Sequence, residues 1–418
     1  MSNFIKALIT TGSIVFLMGF AIHIHNSALS GVNIISILLL PFIIYSILKK
    51  KYTSTGWLAI FAFVLLIIFS TIVVFLDASS ANLKLLRGAL VASAAVWGSA
   101  WLIKYHTDLV PNVLYYTLLV AAIIGILQIS YLLTGLGIDP AQQFGDETFY
   151  LNARTLMGVP SIFGNPNDFS VFSCLIFLFF LFNKTKFTVS IVLALFCIFI
   201  SGSKTAILIA IFGLLVRGGI GLKIIILFFI FIVGIYIKSA EFQGFDLYAV
   251  DRTLFTIIEL LSGSVDINSS VAVRYESWLY FFSEYYRFIS GSFVAGEVFP
   301  QFVNARFDTS LIALNPHSFI IELHALFGFG GFLIFALLFI ATYKSMSFNY
   351  LNLPFYYIFS SIFLLVNVSS SILGSGSTYA LIAILAIRPL SAYSFKNYHS
   401  RFDLNLEFIN FKNSRNKR

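Results

Sequence analysis

Four places in the chain bring together residue types that can hold an anion or move a proton. Arg154 follows Asn152-Ala153 and precedes Ser161-Ile162-Phe163-Gly164-Asn165-Pro166-Asn167-Asp168. Gly-Asn-Pro-Asn before an apolar run supplies a rigid turn and a helix N-cap. Arg154 itself reads either as a solvated loop cation or as a cation held beside that turn. Ser201-Gly202-Ser203-Lys204 forms a tight hairpin between two apolar runs. Lys204 either snorkels to the membrane interface or contacts an anion, helped by the positive end of the helix that follows. Arg274 stands four residues before Trp278. It either pairs with Glu276 or an aromatic ring, or grips a phosphate through two parallel hydrogen bonds. Leu314-Asn315-Pro316-His317-Ser318 opens a further apolar run that contains Glu322 and His324. A histidine oriented by a carboxylate can act as a general base. The i, i+5 spacing sets His317 and Glu322 about 140° apart on a regular helix, which argues against direct pairing. His324, two turns from His317 on the same face, suits core packing. Arg87, at the start of another apolar run, is one more cation of this kind.

The elements that must position these residues are transmembrane helices. The chain is 59% hydrophobic and only 11% charged, with Phe at 48 of 418 positions. Soluble domains carry about 25% charged residues, so a soluble globular protein is excluded. The apolar runs are continuous and lack the alternation of a barrel strand, so helices that satisfy their own backbone are expected. Runs at 4–22, 32–48, 57–76, 84–103, 111–134, 169–182, 187–201, 203–216, 224–238, 318–343, 354–370 and 378–395 predict about twelve spans in an all-α integral membrane protein. The first run has Lys6 ahead of it but is long for a signal core and is followed by no small-x-small cleavage site, so it reads as a retained helix. Cys174 and Cys197 both fall inside apolar runs, which predicts buried thiols rather than a metal site or disulfides. No Walker loop, dinucleotide fingerprint or HExxH sequence is present, which speaks against an ATP-driven pump.

Loop charge orients the helices. With a cytoplasmic N-terminus, Lys49, Lys50, Lys51, Lys104, Lys184, Lys186, Arg217, Lys223 and Lys344 fall on inner connections, against the single acid Asp108. The basic tail 396–418 falls on the same side, and the short outer connections are cation-poor except for Lys84 and Lys204. The positive-inside rule then places both termini in the cytoplasm. This orientation also accounts for the net charge of +8 without nucleic acid. Residues 1–395 read as one polytopic membrane domain. Its outer loop 238–316 forms a small helical subdomain in which acids outnumber bases. Within that loop, Tyr275, Leu279, Phe282 and Tyr286 make one stripe of an amphipathic interfacial helix.

In this order and on one membrane side, the four elements resemble the superfamily of O-antigen ligases and Wzy-type O-antigen or capsule polymerases. The resemblance spans roughly residues 110–345, and the twelve-helix layout with one dominant loop, GT-C-like, is similar over the whole chain. It implies a bacterial inner-membrane glycosyltransferase that uses no metal, nucleotide or other cofactor. The donor would be a glycan on undecaprenyl diphosphate at the outer face, and the acceptor a sugar hydroxyl. By motif match, Arg154, Lys204 and Arg274 would bind the diphosphate and stabilise its developing charge, with Arg87 extending the site. His317 would be the catalytic histidine, and the anomeric centre would invert. Lys204 departs from the arginine that relatives generally carry, and so lacks two-pronged geometry. Polymerase and ligase differ in acceptor: another lipid-linked chain, or the lipid A core or another anchor. The polymerase is the expected activity, and it implies a chain-length regulator as partner. A transporter for lipid-linked oligosaccharide is the rival from another class. It would put ionisable groups near the bilayer midplane and show internal repeats, whereas the candidates here gather at helix ends.

Overall fold

The computed structural model describes residues 10–14, 54–76, 78, 80–106, 108–139, 159–163, 166–182, 188–217, 318–349, 353–368 and 376–387. Among them all regular structure is helical: α1 (Ser54–Leu76), α2 (Ser80–His106), α3 (Val110–Thr134), α4 (Pro166–Phe182), α5 (Thr188–Ser201), α6 (Lys204–Arg217), α7 (Phe319–Phe327), α8 (Phe329–Asn349), α9 (Leu353–Val368) and α10 (Gly376–Ile387), with residues 10–14 also helical. Stretches Gly56–Leu76, Val110–Tyr131 and Phe329–Ser347 are long and apolar enough to cross a bilayer, and α2, α4, α5 and α9 carry shorter apolar stretches. The helices expected at 32–48 and 224–238, most of the first run, the outer loop 238–316 and the tail 396–418 lie outside the described residues.

α4 is the axis of the bundle. Every residue from Phe169 to Phe182 is buried, against α3, α5, α6, α9 and α10. A helix covered on all sides needs no polar face, so its sequence is apolar all round. Outer helices are apolar in a different way. On α1, Trp57, Phe61, Val64, Ile68, Ile72 and Phe75 form an exposed stripe, while Phe63, Leu66 and Val73 face inward. On α5, Val189, Val192, Phe196 and Phe199 are exposed opposite buried Ala194, Cys197 and Ile198. Water would penalise such stripes, whereas lipid tails match them. Both cysteines are free and buried.

Where lipid removes the hydrophobic drive for helices to associate, close approach of small residues takes over. Ala89, Ala92 and Ala95 of α2 are buried, as are Ala380, Ala383 and Ala386 of α10, and the two helices pack together. Two buried hydroxyls are satisfied within their own helices: Ser93 Oγ donates to Ala89 O at 2.8 Å and Thr117 Oγ1 to Val113 O at 2.7 Å.

The run expected as one helix over 318–343 is two. α7 stops at Gly328, whose φ of 56° favours glycine, and α8 starts at Phe329. The Gly328 N–H donates to His324 O at 2.7 Å, and Gly331 N–H returns to Gly328 O at 3.0 Å. A side chain at Gly331 would collide with the carbonyl of Leu323, so the chain turns there only because glycine leaves room. Uniform hydropathy across the break hid it.

Candidate functional site

Two regions of irregular backbone lie beside the sequence elements that suggested chemistry. The first is the buried stretch from Val159 to Phe163, ahead of α4. Buried backbone outside a helix must find partners for its polar groups, and here they come from two helices. Ser161 N–H donates to Gln128 Oε1 at 2.8 Å, and Gln128 Nε2 donates to Ser161 O at 2.9 Å. The α3 side chain therefore pairs with one residue of main chain as a neighbouring strand would. Ser161 Oγ donates to Ala121 O at 2.6 Å. Val159 N–H donates to Ile200 O in the last turn of α5 at 3.2 Å. Ser161 has φ of 54°, in the left-handed region, and is the one non-glycine among the described residues that does. That conformation costs an L-residue about 1 kcal/mol or more and persists where surroundings hold it.

The contact with Ile200 brings this stretch to the Lys204 hairpin. α5 ends at Ser201, whose hydroxyl donates to Ile198 O at 2.7 Å. Gly202, with φ of 67°, reverses the chain, and Ser203 O accepts from Ile207 N at 3.0 Å as α6 begins at Lys204. The hairpin is as tight as expected, and Lys204 is half-buried in the first turn of α6. Cationic Lys204 thus stands where the orphan N–H groups of a helix also point. At the opposite end of α6, Arg217 Nε donates to Leu181 O at 3.2 Å and supplies a terminal carbonyl of α4. Pro166 is the first residue of α4, the position at which proline's missing N–H costs least.

The second region is the start of α7. Ser318 is its N-cap, extended at φ −142° and ψ 116°, and its hydroxyl accepts from Ile321 N–H. The same hydroxyl donates to Asn367 Oδ1 of α9 at 3.2 Å, and Ile320 N–H reaches that oxygen at 3.4 Å. Asn367 Nδ2 turns back to Phe363 O at 2.9 Å. Glu322, in the first turn, is only 5% exposed. A carboxylate there complements the helix dipole, and it lies within electrostatic reach of the Tyr379 hydroxyl on α10. Tyr379 packs edge-on against Phe319 and Phe63, with ring centroids 6.1 and 5.9 Å apart. His324 is buried edge-on to Phe332, the packing role its position suggested.

Of the residues expected to act, Lys204 and Arg87 are described; Arg154, Arg274 and His317 lie outside the described residues. The turn that follows Arg154 in sequence and the Lys204 hairpin come together through Val159 and Ile200. Ser318, the residue after His317, is fixed by Asn367. Arg87 is exposed on α2, which packs chiefly on α1 and α10. Sequence reasoning passed over Gln128 and Asn367. Each is a lone amide in an apolar run, and the high cost of a polar group in lipid was the available signal. No family model and no curated protein matches the chain.

Proposed function

We propose that the chain is an inner-membrane glycosyltransferase of about twelve spans, both termini cytoplasmic. Its reaction is the polymerisation of undecaprenyl-diphosphate-linked oligosaccharide repeats at the outer face. The observation that carries this reading is the hydrogen bond from Val159 to Ile200. It ties the segment after Arg154 to the hairpin of Lys204, two elements far apart in sequence that the reaction needs at one diphosphate. Arg154, Lys204 and Arg274 bind that diphosphate. As the acceptor hydroxyl attacks, the bond between the anomeric carbon and the diphosphate oxygen breaks, and the electron pair leaves with the diphosphate. The cations stabilise the charge that develops there, and His317 takes the hydroxyl proton. A compact ammonium at Lys204 supplies charge without two-pronged recognition, so the arginines set the orientation of the donor.

Glycan profiling of a deletion strain complemented with wild type or His317→Ala, with expression checked, tests the reading. Anchored single repeats without a ladder, in both the deletion and His317→Ala strains, are the expected result. Loss of all anchored glycan, with long chains accumulating on the lipid carrier, would make the enzyme a ligase instead. Normal ladders from His317→Ala would remove the catalytic assignment.

A further inference from the structure

Gln128 has no place in the chemistry above, yet it makes the most demanding polar contacts among the described residues. It is fully buried in the apolar helix α3, and its amide pairs with both the N–H and the C=O of Ser161, likewise fully buried. A helix that only had to pack would gain more from leucine there, because an amide in lipid carries a large desolvation cost unless every hydrogen bond is made. Ser161 in turn holds an unfavourable left-handed φ of 54°. Strain of this kind needs surroundings that over-determine it, and Gln128 together with Ala121 O supplies them. Two residues upstream, Val159 N–H donates to Ile200 O at 3.2 Å. That carbonyl lies in the last turn of α5, where the helix has no N–H of its own to offer, and the next four residues are the Ser201–Lys204 hairpin.

We propose that Gln128 is a positioning residue for Lys204: it holds the Ser161 turn, the turn supplies the N–H that closes the end of α5, and the closed end sets where Lys204 stands. The inference rests on Lys204 contacting the lipid diphosphate. The turn is held by hydrogen bonds at Gln128 and at Ile200, and short runs of main chain carry the constraint from Ser161 to Val159 and from Ile200 to Lys204. Loosening the turn removes the donor from Ile200, lets the last turn of α5 fray, and shifts the ammonium without touching it.

The test is a double-mutant cycle on the full-length protein in nanodiscs, reading affinity for undecaprenyl diphosphate alongside the unfolding temperature. Lys204→Ala is expected to weaken binding about tenfold, the loss of one charge-assisted contact. Gln128→Met, which keeps the length but not the hydrogen bonds, is expected to weaken it about threefold to tenfold. The double variant should bind within about twofold of Lys204→Ala alone, because the two residues act through one contact. Should Gln128→Met fail to fold, Val159→Pro takes its place; it deletes the N–H that reaches Ile200 and precedes a residue that is already proline. Losses that multiply in the double variant would overturn the inference, since a purely structural role for Gln128 gives that result. So would wild-type affinity in both Gln128→Met and Val159→Pro while Lys204→Ala binds weakly, and in that case the diphosphate reading of Lys204 survives. Wild-type affinity in Lys204→Ala would remove the diphosphate reading of Lys204 and the inference with it.

Discussion

The turn at 159–163 and the start of α7 both place irregular backbone inside an apolar bundle, and they satisfy it in different ways. At α7 most of the work is local: Ser318 caps the helix that begins at the next residue, and Asn367 adds a second acceptor from α9. At 159–163 no local cap serves Ser161, which depends on α3 through Gln128 and Ala121, while Val159 depends on the end of α5. A local cap survives small movements of its neighbours. A turn pinned to two separate helices transmits such movements, and it also carries a backbone conformation that it would not adopt alone. The α7 start is therefore a robust entry for the residue after His317, and the 159–163 turn is a coupling element between α3 and the Lys204 hairpin.

Substitutions can break that contrast. Ser161→Val should have the largest effect, destabilising by about 2–4 kcal/mol, because a β-branched residue tolerates a left-handed φ poorly and the bond to Ala121 is lost. Unfolding of the full-length protein in detergent would read it. Asn367→Ala should cost about 2 kcal/mol by leaving the Ile320 N–H without its acceptor, with faster amide exchange at the start of α7 as the local signature. Ser318→Ala removes the cap and should cost about 1 kcal/mol in the same unfolding measurement. If Ser161→Val costs no more than Ser318→Ala, the contrast between a pinned turn and a capped helix disappears. Arg87→Gln, on an exposed position of α2, should change stability by under about 0.5 kcal/mol. Diphosphate affinity lowered by that substitution would place Arg87 at the donor site.

What the sequence made legible divides along the same line. Helices α1 to α6 and α9 fall on apolar runs, since continuous hydropathy is a period-independent signal of burial or lipid contact. The tight hairpin at Gly202 and the helix start after Asn315-Pro316-His317-Ser318 could be read because capping and turn residues act on their near neighbours. Gln128 could not be assigned its partner, because Ser161 lies on another segment and neither residue's neighbours encode the pairing. The break at Gly328 was missed for a related reason: Gly328 and Gly331 sit in an unbroken apolar run, and the collision that requires glycine involves the backbone of Leu323.

The most direct measurement is transfer itself. Purified protein in liposomes would be supplied with an undecaprenyl-diphosphate-linked repeat unit and no metal or nucleotide, and the lipid-linked products resolved by mass spectrometry. Lengthening of the lipid-linked chain by whole repeats, with release of free undecaprenyl diphosphate and no lengthening in His317→Ala, is the expected result. Movement of the intact lipid-linked repeat across the bilayer without any lengthening would contradict the glycosyltransferase reading and leave the transporter in its place.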